Sequence, residues 1–579
     1  MSRIHTGCCT LQAYFLQTPL LNYIPPTSPL GNSFNKGSIL QNTLLSILFL
    51  LCTLLLSPGT SLALTAERLN LVLYDQLEQY TADFSDPKTD SHPDTMQHWL
   101  AVIYGQAGLQ PLWITKDGPG QKAEKLLTVL KDCRTDGLDP EQYHASQITS
   151  LWNDQTPEGL IKLDTLLTLG LIKYAHDARG GRTLFITNTP PPAFDALELV
   201  KTALSSPDLS QFLSGLLPPH RYYRNLRIAL PYYQNLAASG GWPLVDSGKT
   251  IHPGEQDERI PIITKRLQIE GFLQPTAITG ATRYDETHVQ AVTQFQLHHG
   301  LTRDGIIGKL TINAMNITAE KKTRQILINL ERWRLKNHDL GRKYVVVDIA
   351  GFTLEGIADD TVILEMSVIV GTRQNETPVF SDLIKYMELN PFWNIPPSIA
   401  RNEMLSDLRK NPRYLSDNHI RLFSDWTTEA KEINPLSVDW QQISPKQMSR
   451  FKLRQEPGEK NALGLIKFIF PNNYSVYMHD TPARALFQRS SRAFSHGCIR
   501  LEKPVKLADF LMSDFEIDWS KERFHEIIDS GKRTIISLPE PLPVHITYQT
   551  AKSDQDGTTF FHTDIYDRDR KLEQILFKE

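Results

Sequence analysis

Apolar side chains recur three and four positions apart over residues 69–80, 95–107, 121–133 and 160–178, so each stretch carries one apolar stripe and one polar face. That period predicts amphipathic helices. Pro and Gly clusters such as Asp117-Gly118-Pro119-Gly120 and Thr189-Pro190-Pro191-Pro192 separate them, and residues 65–250 read as a helical domain. Farther on, Ile260, Ile263, Leu267 and Leu273 define one helix face and Val289, Val292, Phe295 and Gln296 another. A turn-rich stretch at 300–308 precedes a last helix at 309–315. Residues 251–318 thus form a three-helix module, and 319–343 a helical linker.

Near Lys343 the period shortens to two. Residues 343–349, 361–370, 462–470 and 475–478 are short apolar runs rich in β-branched side chains and bounded by turn formers, which predicts strands and a mainly β domain over 344–545. Residues 398–460 depart from that pattern, with helical stretches around 400–408 and 429–432 and two tryptophans, Trp426 and Trp440. An insertion of this length beside strand ends is expected to be a lid. Residues 505–512 read as a helix and 533–538 as a strand. Val544, Ile546 and Tyr548 then alternate outward and Phe560 and His562 back, a hairpin about Asp554-Gln555-Asp556-Gly557-Thr558, so 546–579 reads as hairpin and tail. An EF-hand reading of that loop fails because its last ligand position holds Ile565.

A length of 579 residues calls for about three or four cores. The net charge is only -4, which argues against a general nucleic-acid binder. Residues 44–56 are an apolar run preceded by Lys36 and followed by Pro58, Gly59 and Ser61-Leu62-Ala63. This is the form of an export signal, and residues 1–64 are assigned to it. The run is shorter than the ~20 residues of a comfortable membrane span. An uncleaved anchor is the alternative, and the long leader leaves room for a later start codon. Cys8, Cys9 and Cys52 would leave with the leader, so the remaining chain holds Cys133 and Cys498 and no disulfide framework. Cys133 ends the stripe Ala123, Leu126, Leu127, Leu130 and reads as core packing. A polar cluster, His176, Asp177, Arg179 and Arg182, reads as solvated capping of a helix C-terminus.

The chemistry concentrates in Ser495-His496-Gly497-Cys498-Ile499-Arg500-Leu501. A thiolate is the nucleophile of a cysteine enzyme, and a neighbouring imidazole is expected to lower the thiol pKa. His479 lies nineteen residues before Cys498 at the end of a strand-like run. Gly497 permits a strained turn that leaves main-chain N–H groups open to an oxyanion. Arg500 falls on the same side as Cys498 if the segment is extended, where it could hold a carboxylate. Two other readings stay open on these residues alone: a buried structural cysteine, and a zinc site from His479, His496 and Cys498, although no fourth ligand stands at a recognisable spacing.

The order of His479 and Ser495-His496-Gly497-Cys498-Ile499-Arg500 resembles the signature of the L,D-transpeptidases, cysteine enzymes that cross-link bacterial peptidoglycan. Thr377-Pro378-Val379-Phe380-Ser381, the run from Asn390-Pro391-Phe392-Trp393 to Pro397, and Asn461-Ala462-Leu463-Gly464 are similar to the same family. Leu109-Gln110-Pro111-Leu112-Trp113 and Asp136-Gly137-Leu138-Asp139-Pro140 resemble the scaffold domain of its large Gram-negative members. The string Ala291-Val292, Phe295-Gln296, Gly300-Leu301, Asp304-Gly305 and Gly308 resembles a peptidoglycan-binding domain.

The resemblance implies a periplasmic enzyme, tethered to the inner membrane if residues 44–56 are retained. Cys498 would attack meso-diaminopimelate in a tetrapeptide stem, expel D-alanine and pass the acyl group to a neighbouring stem. The same thioester resolved by water would make a carboxypeptidase or cross-link hydrolase. A non-catalytic cell-wall scaffold is the remaining alternative. His479 would be base and then acid, with its ring supported by the Asp480 carbonyl rather than its carboxylate. Gly497, His496 and Ser495 are expected to orient the turn, and Arg500, Tyr477, Trp393 and Asn390 to line the substrate site. Neither metal nor cofactor is implied. Stem peptides, a D,D-carboxypeptidase and a glycan polymerase are the implied partners, and carbapenems the implied covalent inhibitors.

Overall fold

The computed structural model describes residues 65–82, 96–182, 194–275, 282–515 and 520–577. The run 44–56, read as signal or anchor, lies outside them. Among the described residues, no helix is long and apolar enough to cross a membrane.

The helical region is built around α4 (Pro157–Gly180), with α1 (Ala66–Ala82), α2 (Met96–Gln106) and α3 (Gln121–Asp132) preceding it. The Thr156 side chain caps α4 by accepting from Gly159 N, and Pro157 occupies a first-turn position where its missing N–H costs nothing. Leu160, Ile161, Leu163, Leu167 and Leu171 are all buried, because neighbours cover more than one face. Burying each such side chain is worth about 1.5–3 kcal/mol. Asp164 is buried among them and accepts from the backbone N–H groups of Leu112, Trp113 and Ile114 and from the Tyr104 hydroxyl. Burial nevertheless raises its carboxyl to about 6.

Arg179 of the capping cluster is exposed, but Asp177 is not solvated as expected. Asp177 is buried and accepts from Tyr143 Oη (3.0 Å) and Lys173 Nζ (3.1 Å), tying α4 to the preceding turn. After α5 (Arg221–Ala238), helices α6 (Ile260–Ile269), α7 (Glu286–His298) and α8 (Lys309–Met315) enclose a small core of Ile263, Val292, Phe295 and Met315.

Helix α9 (Ala319–Arg334) is more than a linker. Lys322, Asn329, Glu331, Trp333 and Arg334 are all buried. Trp333 stacks on Tyr222 of α5 with centroids 4.8 Å apart, while Lys322 meets Glu270 and His299 of the three-helix module in a buried cluster. The Asn329 amide of α9 also donates to Thr550 Oγ1 (2.8 Å), so the helix joins the helical region, the three-helix module and the C-terminal part.

The last part is a nine-stranded sheet formed by β1 (Lys343–Asp348), β2 (Thr353–Ala358), β3 (Thr361–Gly371), β4 (Phe380–Leu389), β5 (Ile466–Ile469), β6 (Met478–His479), β7 (Ala493–Ser495), β8 (Ile499–Leu501) and β9 (Thr534–Thr547). The order is β7-β3-β8-β6-β5-β4-β9-β1-β2, and β2 also pairs with β3, which closes the sheet on itself. Val544 and Ile546 therefore belong to the long β9, between β4 and β1, and not to a terminal hairpin. The hairpin is shorter, pairing Ala551–Ser553 with Thr559–Phe561.

The insertion is also less helical than expected. Short helical turns from Pro397 to Lys410 accompany a four-stranded sheet of Trp393–Ile395, Lys452–Gln455, Ile420–Phe423 and Glu432–Ile433. It has its own core, with Leu408, Leu422, Trp440 and Leu453 buried, whereas Trp426 is exposed. The insertion is thus a small folded unit rooted at Trp393–Ile395 and Lys452–Gln455.

Candidate active site

Strands β6 and β8 are parallel neighbours with Met478 opposite Ile499 and His479 opposite Arg500. Met478 and Ile499 are fully buried on the core side. Side chains alternate along a strand, so His479 and Arg500 occupy the other face, with Tyr477 one residue before β6 and Cys498 one residue before β8. On β5, Lys467 stands opposite His479, and on β4 Glu388 stands opposite Lys467. One row across four strands thus reads Arg500, His479, Lys467, Glu388.

His479 Nδ1–H donates to the Asp480 carbonyl at 2.5 Å, which leaves Nε2 as the basic nitrogen. The Asp480 carboxylate is turned away: it accepts from Leu465 N at 2.8 Å and pairs with Arg484. Adjacent side chains point apart on a strand, so carbonyl and carboxylate serve different neighbours. Close approach sets a second requirement, since a Cβ at Gly464, whose φ is +59°, would collide with that carboxylate.

Burial lowers the imidazole to about 3, with the Arg500 and Lys467 charges adding to it, so it is neutral at physiological pH. Burial also raises the Cys498 thiol, more than the Tyr477 N–H and hydroxyl, Lys467 and Arg500 lower it. The expectation of a thiol pKa depressed by its histidine is therefore not met. Two neutral groups, a thiol and a base, are what the low-polarity surroundings favour.

Gly497 takes φ +111°, a conformation that favours glycine. Its N–H donates to Ser495 Oγ at 3.1 Å, and Ser495 Oγ donates to the Cys498 carbonyl, so Ser495 pins both sides of the turn. The Gly497 N–H is thereby occupied. Among the described residues, the N–H groups of His496 and Cys498 are the ones in this turn without a partner.

His496 is exposed, and its Nε2 contacts Glu403 Oε1 of the insertion at 2.6 Å. His479 and His496 thus turn to different partners. Among the described residues, no three His, Cys, Asp or Glu side chains converge on a metal position, so the zinc reading gains nothing from the fold.

Burial raises the Tyr477 hydroxyl, with the neighbouring Cys498 adding to the shift and Trp393 opposing it. Lys467 Nζ sits 4.1 Å from the Tyr477 ring centroid. The Arg500 Nε is buried without a hydrogen-bond partner among the described residues. Asn390 does not line the site as expected. It is buried with φ +48°, and its amide donates to the carbonyls of Ile527 and Ile528, anchoring the preceding strand to a helix. Lys467, Glu388 and Glu403 went unnoticed in the sequence. A charged side chain inside the apolar run 463–470 was the available signal for Lys467.

Comparison with known families agrees with this geometry. Residues 342–536 match the family model described as "L,D-transpeptidase catalytic domain". This stretch is an L,D-transpeptidase-type catalytic domain. Residues 98–230 match a "Scaffold domain" and 256–315 a "Putative peptidoglycan binding domain". A Haemophilus influenzae protein named "Putative L,D-transpeptidase" is 30% identical over 320 residues, covering 53% of this chain and 63% of that relative, so the match spans less than two thirds of the relative's length.

Two solved L,D-transpeptidase structures are similar at lower identity. That from Mycobacterium smegmatis is 14% identical, covering 36% of this chain and 58% of its own, with a TM-score of 0.17. That from Xylanimonas cellulosilytica is 13% identical, covering 52% and 99%, also with a TM-score of 0.17. Neither score bears on the mechanism of this transpeptidase domain.

Proposed function

We propose that the protein is a periplasmic peptidoglycan L,D-transpeptidase acting through a Cys498 thioester. The observation that carries this reading is the β6–β8 pairing, which brings a neutral, carbonyl-oriented His479 opposite Arg500, two residues after Cys498, in a domain similar to this family. His479 Nε2 takes the thiol proton as sulfur attacks the carbonyl of the L-centre of meso-diaminopimelate. The N–H of Cys498 stabilises the oxyanion. When the tetrahedral species collapses, the C–N bond breaks and the proton passes from His479 to the departing D-alanine amine.

The thioester is then attacked by a side-chain amine of a second stem, which gives up its proton to His479 and restores the thiol. A positioned acid–base group contributes about 100- to 10,000-fold to such steps. The unpaired Arg500 Nε supports a carboxylate-holding role. The scaffold and peptidoglycan-binding domains support delivery of a polymeric substrate. Hydrolysis of the same thioester is the second reading, because Cys498 remains partly exposed and water can reach it.

The deciding experiment incubates wild type and Cys498→Ala with a disaccharide tetrapeptide containing meso-diaminopimelate, read by mass spectrometry. A dimer lacking one D-alanine, formed by the wild type alone, supports transfer. Tripeptide without dimer supports hydrolysis, and no product from either protein contradicts both.

A further inference from the structure

Behind the catalytic turn lies a set of polar groups that the chemistry above leaves unused, and one of them comes from the tail of the chain. Tyr566 follows residue 536, where the catalytic-domain match ends. Its side chain is buried, and its hydroxyl donates to the Gly371 carbonyl (2.6 Å) and accepts from the Thr377 N–H (3.2 Å). Thr377 is fully buried. Its Oγ1 accepts from the Gly371 N–H (2.9 Å) and donates to the Gly497 carbonyl (2.8 Å). Tyr566 is itself held, since its N–H donates to Tyr548 Oη (2.8 Å) and the two rings stack. The same tail is fastened to α9 by Arg332 and Asp569, whose ion pair measures 2.6 Å.

A trans peptide is planar, with its C=O and N–H pointing to opposite sides. The Gly497 carbonyl and the Cys498 N–H belong to one peptide, so fixing the first aims the second. Gly497 has no side chain with which to lock its own φ of +111°, and the constraint must come from outside. We propose that Thr377 and Tyr566 are positioning residues that clamp the Gly497 carbonyl and so hold the Cys498 N–H toward the oxyanion. The proposal rests on reading Cys498 as an acyl-transfer nucleophile. It makes the C-terminal tail a functional part of the active site.

The test compares two reactions of the same sulfur in the full chain and in Thr377→Val, Thr377→Ser and Tyr566→Phe. With p-nitrophenyl acetate, a C–S bond forms through a tetrahedral oxyanion and p-nitrophenolate leaves. With iodoacetamide, a C–S bond forms and iodide leaves in one displacement, without an oxyanion. Losing an oxyanion donor costs about 100- to 1,000-fold, and misaiming one costs less. Thr377→Val should slow p-nitrophenolate release about tenfold or more and Tyr566→Phe about threefold or more, while alkylation stays within about twofold. Thr377→Ser should recover most of the acylation rate. Unchanged acylation in both Thr377→Val and Tyr566→Phe overturns the proposal, and so does a parallel fall in both reactions, the mark of a merely structural role. Neither reagent contains a peptidoglycan group, so failure here is separate from failure of the transpeptidase reading, which stem peptides test.

Discussion

Two cysteines stand in the described part of this chain, and their surroundings give them opposite characters. Cys133 ends α3, is 1% exposed, donates to the Leu130 carbonyl at 3.1 Å, and is pushed up to about 12 by burial, with Asp136 and Asp139 adding to it. Burial raises Cys498 too, but there Tyr477, Lys467 and Arg500 oppose it, and the residue remains partly exposed. Reactivity therefore follows from what offsets desolvation and from access, since both sulfurs experience the desolvation itself.

The sharpest way to break that contrast is to remove each sulfur in turn. Cys498→Ala should abolish formation of any acyl adduct. Cys133→Ala should leave the acylation rate within about twofold and cost about 1–2 kcal/mol of stability through a small cavity, read as a lowered midpoint of thermal unfolding. Next in size is His479→Gln, which keeps a polar side chain but removes the base. Acylation should slow about 100- to 10,000-fold in stopped-flow traces.

The pH profile sharpens the comparison further. An ordinary imidazole would impose an acid limb near 6.5. With His479 lowered to about 3, the base should remain neutral down to pH 5, and no limb should appear there. The same shift has a stability consequence. His220, His545 and His562 are also lowered, each to about 4 and chiefly by burial. The unfolded chain binds these protons first, so stability contributed by the neutral rings is complete above about 6.5 and is lost as pH falls toward 4. Asp164 and Asp348, raised by burial to about 6 and about 7, act in the opposite sense, but the lowered histidines outnumber them, so urea midpoints should fall between pH 7 and pH 4.

Lys467→Met removes a cation that favours the thiolate. Its sign is an alkylation profile displaced to higher pH, with about a tenfold slower reaction at pH 7. The smallest effect belongs to Glu403→Gln, which loosens the insertion from His496. Both groups are solvent-accessible, and such pairs are worth about 0–1 kcal/mol, so KM for a stem peptide should rise by about twofold to fivefold.

The alternation at 475–478 and the seven-residue run at 495–501 announced two strand ends, because side chains alternate with a period of two, and β6 and β8 lie side by side with Cys498 just before the second. The Asp480 carbonyl followed from the same rule. The place of Val544 and Ile546 did not, because a strand in the middle of a sheet and one arm of a hairpin alternate alike. Asn390 was misread for another reason: its amide is satisfied by carbonyls at 527 and 528, more than a hundred residues away, which no local pattern announces. Asp177 reads as a surface cap from its helix alone, and is buried only because Tyr143 and Lys173 reach it. Glu403 and Thr377 meet the catalytic turn across similar distances in sequence.

The most direct measurement of the central claim is to locate the acyl group. The full chain is incubated with the tetrapeptide substrate, quenched in acid, digested and mapped by mass spectrometry with and without hydroxylamine. The account predicts a hydroxylamine-labile acyl mass on the peptide containing Cys498 and none on the peptide containing Cys133. An acyl group on any other residue, or turnover that persists in Cys498→Ala, would contradict it.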